Sequence, residues 1–190
     1  MRILHTADWH IGRTFHGHAT LGPLRDVLGA IPDIVRKEHV DLVLVAGDVF
    51  DSAAPSGDAF ALLRDALVTI REAGAEVILI SGNHDSAARL GFAAPFATLA
   101  GVHFETDPDT IDQPIAFEDQ HGLVDVYCVP FLEPALLRSR WQGAQIRNQA
   151  DALRHAMGQI RTSVATRAAE KPRRKVVVAH TFAAGAQSES

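Results

Sequence analysis

The sequence has 190 residues, of which 47% are hydrophobic and 22% charged; this excludes an intrinsically disordered chain and is typical of one globular domain. A single cysteine, Cys128, excludes an internal disulfide framework and favours a reducing, cytoplasmic location. No apolar run approaches the roughly 20 residues of a transmembrane helix, and no signal-peptide pattern follows Met1, so we expect no association with a membrane.

The net charge of −5 is unevenly distributed along the chain. Residues 1–130 carry 8 basic and 19 acidic side chains, whereas residues 131–190 carry 10 basic and 4 acidic ones. A carboxylate-rich metal site leaves such an acidic excess when it is counted without its cations. Acidic, solvated helix faces explain most of the excess equally well.

The first 80 residues alternate between strand-like and helix-like patterns. Short strands are predicted at residues 2–7, 42–46 and 75–80. The run at 42–46 has no polar alternation, which is typical of a strand buried on both faces of a parallel sheet. A helix is predicted over 21–38, with these residues facing the core: Leu24, Val27, Leu28, Ile31, Ile34 and Val35. A second helix is predicted from Pro55-Ser56 to about Ala73, ended by Gly74, with these inward residues: Phe60, Leu63, Leu67 and Ile70. The βαβαβ order predicts an α/β fold, a mainly parallel sheet and right-handed crossovers.

The rest of the chain is less regular. A short helix is predicted to start over 86–90, and strand-like runs at 101–106, 113–117 and 123–129, separated by Asp- and Pro-rich turns, indicate antiparallel additions to the sheet. A long helix is then predicted over 146–169. After Arg173-Arg174-Lys175, the apolar run 176–179 predicts another buried strand, which ends at His180. We see no repeat and no linker, so residues 1–190 are predicted to form one unit.

Polar clusters follow several of the predicted strands directly. They are Asp8-Trp9-His10, Gly47-Asp48-Val49-Phe50-Asp51, Gly82-Asn83-His84-Asp85 and His180. In open α/β sheets, ligands bind at the carboxyl ends of the strands, so these clusters are expected to converge on one site. Asp8 and His10 flank one residue, and on an extended segment their side chains would project to the same side.

The donor atoms in these clusters suit a metal site. Carboxylate, amide and imidazole groups bind hard or borderline divalent ions such as Mn²⁺, Fe²⁺ or Zn²⁺, and the scarcity of cysteine argues against a structural zinc site. A bridging carboxylate at Asp48 could hold two ions about 3.5–4 Å apart, which is the spacing used in in-line phosphoryl displacement. Each cluster alone is more often a helix cap or a turn. Their conjunction at the ends of successive strands is what favours a metal site.

These residues resemble the calcineurin-like metallophosphoesterase superfamily, whose signature is D-x-H, G-D-x-x-D, G-N-H-[DE], a strand-end His and G-H-x-H. Within it, the stretches HTADWHIG, VAGDVFDSAAPS, SGNHDS, VPFL at 129–132 and AHTFAAGAQSES resemble the SbcD-type nucleases of DNA double-strand-break repair and recombination. The resemblance extends over residues 1–190, with VPFL its one landmark between 101 and 173. It implies a metallophosphoesterase-like sandwich of sheets flanked by helices.

The resemblance implies a role for each matching residue. Asp8 and His10 would ligate a first ion and Asn83 and His180 a second, with Asp48 bridging the two. His84 would stand over the scissile phosphate as a proton donor or charge stabiliser, and Asp51 would orient His84 through its other ring nitrogen. Water activated by two divalent ions, usually Mn²⁺, would attack a phosphodiester of DNA. The implied partners are an SbcC-type coiled-coil ATPase and a second copy, bound through helices in the first part of the domain.

One part of the family pattern is missing from this sequence. The G-H-x-H motif, which would give each ion a further ligand, is absent, as is the later DNA-facing capping domain. We therefore expect a C-terminally incomplete metallophosphoesterase domain that binds metal weakly and has little nuclease activity by itself.

Other residues allow two readings. Arg140, Arg147, Arg154 and Arg161 recur every seven residues; they could form a phosphate track, but a solvated edge beside the core of the long helix is favoured. Trp9 could stack on a base, but packing beside the metal loop is favoured. By default His16 and His18 belong to a surface loop, Arg173-Arg174-Lys175 is a polar lead-in to a strand, and Cys128 is a small core residue.

Two rival functions remain open at this point. One is another enzyme of the same superfamily, a phosphomonoesterase or a cyclic-nucleotide phosphodiesterase. The other is a non-catalytic assembly module that keeps the fold and contributes only a binding surface.

Overall fold

Strands and helices alternate regularly in the first half of the chain, and strands dominate the middle. The computed structural model describes residues 1–182. The strands found there are β1 (Ile3–Thr6), β2 (Thr14–Phe15), β3 (His18–Ala19), β4 (Leu42–Ala46), β5 (Glu76–Ile80), β6 (Val102–Glu105), β7 (Ile115–Asp119), β8 (Gly122–Val129) and β9 (Arg173–Ala179). The helices are α1 (Leu21–Glu38), α2 (Gly57–Glu72), α3 (Ala87–Leu90), α4 (Ala94–Thr98), α5 (Pro134–Arg140) and α6 (Gln149–Glu170). The α/β class is confirmed, but the hairpin β2–β3 and the helices α4 and α5 were not predicted.

The first sheet is fully parallel, in the order β1-β4-β5-β6. The expectation that residues 101–106 add an antiparallel strand is wrong, because β6 pairs in parallel with β5, from Val77↔Val102 to Ile80↔Glu105. The α3–α4 segment is the reason: it crosses the face of the sheet and returns the chain to the edge where β5 began. A tight turn, which the Pro- and Asp-rich pattern suggested, would have reversed the strand.

The second sheet has the order β7-β8-β9 and mixes both directions. β7 is antiparallel to β8, as the sequence predicted, whereas β9 runs parallel to β8 because the long helix α6 connects them. β9 lies at the edge of this sheet within the described residues. The prediction of a buried strand over 176–179 is therefore wrong for most of its residues: Val178 is buried, but Val177 is 42% exposed.

The two sheets pack face to face and each is covered by helices. On β4, Val43 and Val45 face α1 and α2, while Leu42, Leu44 and Ala46 face the second sheet. The contact layer between the sheets also contains Val124, Val126 and Cys128 from β8. Alternate residues of β8 join a third cluster under α5 and α6, formed by Tyr127, Val129, Leu137, Trp141, Ala156 and Ile160, among others. The result is the predicted sandwich of sheets between helical layers.

Both long helices of the first half begin or end as predicted, but some of their apolar residues face outward. Ser56 caps α2 by accepting a hydrogen bond from the Ala59 N–H at 3.2 Å. The inward prediction is wrong for Phe60, Val27 and Ile34, which are 39%, 63% and 43% exposed. Phe60 lies beside the buried stripe of α2, and its ring packs on Phe50 with 4.8 Å between ring centroids. The residues of that stripe are Ala59, Leu62, Leu63, Ala66, Leu67 and Ile70.

A buried carboxylate ties α6 to the second sheet. Asp125 on β8 is 1% exposed and accepts two hydrogen bonds from Arg167 of α6, at 2.8 and 3.0 Å, and one from Arg173 of β9, at 3.1 Å. Chiefly through hydrogen bonding to Arg167, the pKa of Asp125 is lowered. The prediction that Arg173 merely leads into a strand missed this contact.

Among the described residues, none of the helices combines the length and the apolar character that crossing a membrane requires.

Candidate metal centre

The four polar clusters meet at one edge of the sandwich. A cleft of about 590 Å³ opens at the carboxyl ends of β1, β4, β5 and β9. The residues predicted for the site all line it, and they are Asp8, His10, Asp48, Asp51, Asn83, His84 and His180. Because parallel strands end at the same edge, loops far apart in sequence deliver their side chains to one place. The stretch AHTFAAGAQSES extends beyond Phe182, so most of it lies outside the described residues.

Backbone bonds lock the first two loops together. The Asp8 N–H donates to the Gly47 carbonyl at 3.0 Å, and the His10 N–H donates to the Asp48 carbonyl at 2.9 Å. Asp8, His10 and Asp48 all adopt left-handed backbone conformations, with φ of 55°, 45° and 48°. The expectation of an extended Asp8–His10 segment is therefore wrong, although both side chains still reach the cleft. Non-glycine residues held in this region cluster at functional sites, because tertiary contacts are needed to impose them.

Asp48 is the central group of the cleft. Its side chain is 5% exposed, and its Oδ1 accepts a hydrogen bond from the His84 N–H at 3.0 Å. Oδ2 lies 3.7 Å from His10 Nε2 and 4.0 Å from His84 Nε2, while Oδ1 lies 3.6 Å from His180 Nε2. Within residues 1–182 no Lys or Arg lies within ion-pair distance of this carboxylate. A buried carboxylate surrounded by imidazoles needs a compensating positive charge, which a cation would supply.

His84 and His180 are each held through Nδ1 and turn Nε2 toward Asp48. His180 Nδ1 lies 2.8 Å from the Ala46 carbonyl, and His84 Nδ1 lies 3.0 Å from the Asp51 carbonyl. A carbonyl contact at Nδ1 fixes the tautomer in which Nε2 is free to bind a metal or to carry a proton. His180 Nε2 is also 3.1 Å from Asn83 Oδ1, so these two donors face the same space.

The structure assigns Asp51 a different contact from the expected one. Its backbone carbonyl, and not its carboxylate, contacts His84. The carboxylate instead lies 3.1 Å from the buried Nδ1 of His10, at an angle outside hydrogen-bond geometry. Sequence reasoning could identify Asp51 as a neighbour of the site, but the atom in contact depends on the turn that Phe50 and Asp51 make after β4.

Two groups of acidic and imidazole donors could hold a cation. The donor atoms of Asp8, Asp48 and His180 lie within 4.8 Å of one another, as do those of His10, Asp48 and His84. The mixture of carboxylate oxygens and imidazole nitrogens fits Mn²⁺, Fe²⁺ or Zn²⁺. Both groups contain Asp48, which is the arrangement expected when one carboxylate serves two cations.

Two glycines make room for the donors. A side chain at Gly47 would overlap the ring of His180, and one at Gly82 would overlap the carboxylate and backbone nitrogen of Asp48. Gly47 also has φ of 87°, a conformation that favours glycine. These close approaches keep the carboxylate and the imidazole in the cleft.

Asp85 is a residue of the site to which sequence reasoning gave no role of its own. Its carboxylate accepts hydrogen bonds from the backbone N–H groups of Val49, Phe50 and Gly82, at 2.8 to 3.0 Å. It thereby joins the loop that follows β4 to the loop that follows β5. Burial raises the pKa of Asp85, against the opposing effect of these N–H donors.

The residues with two readings take the structural one. Trp9 is buried, and its Nε1 donates to Thr6 Oγ1 at 3.0 Å. The arginines every seven residues are largely neutralised, because Arg140 pairs with Asp107 and Asp109, and Arg147 and Arg154 both pair with Asp151. Cys128 is buried, which raises the pKa of its thiol and suits a core residue. His16 and His18 lie on the exposed hairpin β2–β3.

The chain is similar to known proteins over most of its length. The family described as calcineurin-like phosphoesterase matches residues 1–160, which include every predicted site residue except His180. The chain is also similar to proteins named as the SbcD component of the nuclease SbcCD. The one from Rhodobacter capsulatus is 42% identical over 76% of this chain and 38% of its own length, and the one from Bacillus subtilis is 32% identical over 97% and 48%. A third, from Staphylococcus epidermidis, is 30% identical over 86% and 43%. The chain thus spans less than half the length of these relatives.

Proposed function

This chain belongs to the calcineurin-like phosphoesterase family, and on that basis we propose that residues 1–190 form the core of a nuclease domain. The domain hydrolyses phosphodiester bonds in DNA with the help of two divalent cations, of which Mn²⁺ is the first candidate. The observation that carries the proposal is the buried carboxylate of Asp48, which belongs to both donor groups. Those groups join Asp8 to His180 and His10 to His84, so the pairing of ligands proposed below follows the family resemblance and not the groups themselves. When bound, the two cations would supply Lewis-acid activation of water and neutralise charge on the phosphoryl group. A DNA substrate is also consistent with the proposed cytoplasmic location.

We assign Asp8 and His10 to one cation, Asn83 and His180 to the other, and Asp48 to both. The proximity of His180 Nε2 to Asn83 Oδ1, at 3.1 Å, supports the second pair. The first pair is supported by the 3.8 Å distance between His10 Nε2 and Asp8 Oδ1. Since this assignment leaves each cation with three protein ligands, we expect binding to be weak and turnover by this chain to be low.

His84 is proposed to act on the scissile phosphate rather than on a cation. Its side chain is 43% exposed at the mouth of the cleft, so a phosphodiester could reach Nε2. The Asp51 carbonyl accepts a hydrogen bond from Nδ1–H in both the neutral and the charged imidazole. This bond holds the ring in place while Nε2 gives its proton to the leaving oxygen.

The test compares cation binding and substrate choice. We expect calorimetry to detect Mn²⁺ binding that Asp48→Ala abolishes, and Mn²⁺-dependent cleavage of a duplex DNA end to exceed hydrolysis of p-nitrophenyl phosphate or a cyclic nucleotide. The full-length Bacillus subtilis relative serves as the positive control. A preference for the monoester or the cyclic nucleotide would favour those rival functions, and the absence of Mn²⁺ binding would contradict the metal-site proposal.

The assembly of this chain with partners is also a proposal. The relatives are named as one component of a nuclease called SbcCD, which supports a partner of the SbcC-type ATPase class. A second copy is supported by an apolar surface on α2 and the α3–α4 segment, where Phe92, Phe96 and Leu99 are 83%, 76% and 88% exposed. This surface is also what favours the assembly-module alternative.

Analytical ultracentrifugation tests the second copy. Phe96→Glu, in the middle of the apolar surface, should convert a dimer to a monomer. Leu136→Glu is the matched control, because Leu136 is 66% exposed on α5. A wild-type monomer at all concentrations, or equal effects of both variants, would contradict dimerisation through this surface. A stable dimer that binds no Mn²⁺ would favour the assembly module.

A further inference from the structure

The hairpin β2–β3 projects beside the metal cleft and has no role in the assignments above. We propose that it recognises a nucleic-acid strand: Arg13 at its base contacts a phosphate, and Phe15 stacks on a base. The proposal rests on the proposed function, because it specifies the substrate class of the same cleft. It concerns residues that neither ligate a cation nor act on the scissile bond.

The hairpin is attached directly to a proposed cation ligand. The Arg13 N–H donates to the His10 carbonyl at 3.0 Å, and the Arg13 carbonyl accepts hydrogen bonds from Thr20 N–H, at 3.1 Å, and Thr20 Oγ1, at 2.7 Å. Arg13 itself lines the cleft. The base of the hairpin is therefore held against the loop that carries Asp8 and His10.

The turn of the hairpin is tight. Its strands pair as Thr14↔Ala19 and Phe15↔His18, which leaves two residues in the turn. These are His16 and Gly17, with φ of 50° and 80°. Positive φ at both central positions is the requirement of a type I′ turn, whose twist matches that of the flanking strands. Such a hairpin keeps its side chains in fixed directions.

The alternation of side chains places Phe15 beside Arg13. Residues two apart on a strand project to the same face, and the bonds between Arg13 and Thr20 extend the ladder to Arg13. By this alternation we infer that Phe15 and its cross-strand neighbour His18 lie on the same face of the hairpin as Arg13. Arg13 lines the cleft and Phe15 lies outside that lining, further along the hairpin. Phe15 is 63% exposed, and its ring packs edge-to-face on His16, with 4.4 Å between ring centroids.

The chemistry of this face matches a polynucleotide better than a small phosphate ester. The guanidinium of Arg13 suits a phosphate oxygen pair, and within the described residues it makes no ion pair with a carboxylate. An exposed phenyl ring offers a stacking surface that every base can use. Loss of one stacked base corresponds to roughly five- to hundredfold in affinity. A phosphomonoester has no base to stack.

The experiment measures strand binding without turnover. Fluorescence anisotropy in EDTA would compare a labelled single-stranded oligonucleotide with one of equal length built from abasic residues. We expect Phe15→Ala to weaken binding of the normal strand about five- to hundredfold and to leave the abasic strand unchanged. Phe15→Trp should restore binding, with fluorescence quenched when the strand is added. Leu136→Ala removes an apolar side chain on α5 that is 66% exposed, close to the 63% of Phe15, and is the matched control.

The outcomes separate this proposal from the proposed function. Three results would overturn the hairpin proposal. One is that the wild type does not bind the normal strand. Another is that Phe15→Ala weakens binding of both strands equally, in which case the hairpin is a general contact; the third is that Phe15→Ala weakens neither, in which case the hairpin is a contact for protein. Calorimetry with Mn²⁺ and hydrolysis of bis-p-nitrophenyl phosphate by the wild type judge the proposed function separately. Strand binding that depends on Phe15 in a protein that binds no Mn²⁺ would uphold the hairpin while the nuclease proposal fails.

Discussion

Asp48 and Asp125 are both buried aspartates in the same sandwich, and their surroundings differ in one respect. Asp125 is 1% exposed and paired with two arginines, whereas Asp48 is 4% exposed and faces three imidazoles. The protein balances the charge of the first carboxylate internally, so its contribution is structural. The second carboxylate has no basic side chain beside it in the described residues, which is why we propose that a cation from solution binds it. A buried carboxylate without a basic side chain therefore distinguishes the functional edge of this fold from its structural interior.

The largest effect expected from this comparison is on folding. Asp125→Ala should lower the free energy of unfolding by about 3 kcal/mol, the lower end of the range for breaking a buried ion pair. The reason is that Arg167 and Arg173, whose side chains are 29% and 13% exposed, lose their counter-ion. Urea unfolding monitored by circular dichroism measures it, with the exposed Asp26→Ala on α1 as the control. Equal stabilities of the two variants would show that the Asp125 cluster is not a structural tie.

The matching change at Asp48 should act on binding and not on folding. Asp48→Ala should weaken Mn²⁺ binding more than about 100-fold. Loss of a residue that only hydrogen-bonds to a metal ligand typically weakens metal binding about 10- to 100-fold, so a larger loss indicates a direct ligand. The melting temperature without metal should stay the same or rise, since an uncompensated buried charge is removed. Calorimetry and thermal unfolding with and without Mn²⁺ measure both. A strong loss of stability without metal would place Asp48 in the same class as Asp125.

A glycine tests whether the position of Asp48 matters apart from its charge. Gly82→Ala should weaken Mn²⁺ binding about 10- to 100-fold, because the new methyl group displaces the Asp48 carboxylate while every ligand is retained. Gly29→Ala is the control: a side chain at this helical position meets no neighbour within 4 Å. Unchanged Mn²⁺ affinity in Gly82→Ala would mean that the carboxylate has room to move.

The smallest expected effect is on the dependence of stability on pH. The hydrogen bonds from Arg167 lower the pKa of Asp125, so its contribution is fully present above the unfolded pKa of about 3.9 and is lost as pH falls through the folded value. The difference in unfolding free energy between wild type and Asp125→Asn should therefore be constant near neutral pH and shrink in acid. Burial raises the pKa of Asp85, so its contribution has the opposite sign and is lost as pH rises through the folded value. Urea titrations from about pH 2.5 to about pH 8 would measure both dependences.

The fold was predictable where the pattern was local. The strands β1, β4 and β5 and the helices α1, α2 and α6 follow from apolar runs and helical spacing, and the caps of α2 and α6 at Ser56 and Asn148 use common capping residues. The direction of β6 and the exposure of Val177 were not predictable. Both depend on which strand lies beside them, and no residue within the strand specifies its neighbour.

Which residues meet in the cleft follows from the amino-acid order alone, because each donor directly follows a strand and parallel strands end at one edge. How they meet depends on tertiary packing: the left-handed backbone at Asp8, His10 and Asp48, the carbonyl of Asp51 against His84, and the ties that Asp85 makes between loops. The contacts of Asp51 and of Asp85 with the neighbouring loop join residues more than 30 positions apart. Positive φ also occurs at His16 in the hairpin turn and at His39 after α1, where local structure accounts for it. At Asp8, His10 and Asp48 the bonds between neighbouring loops accompany it, and a single segment of sequence does not specify those bonds.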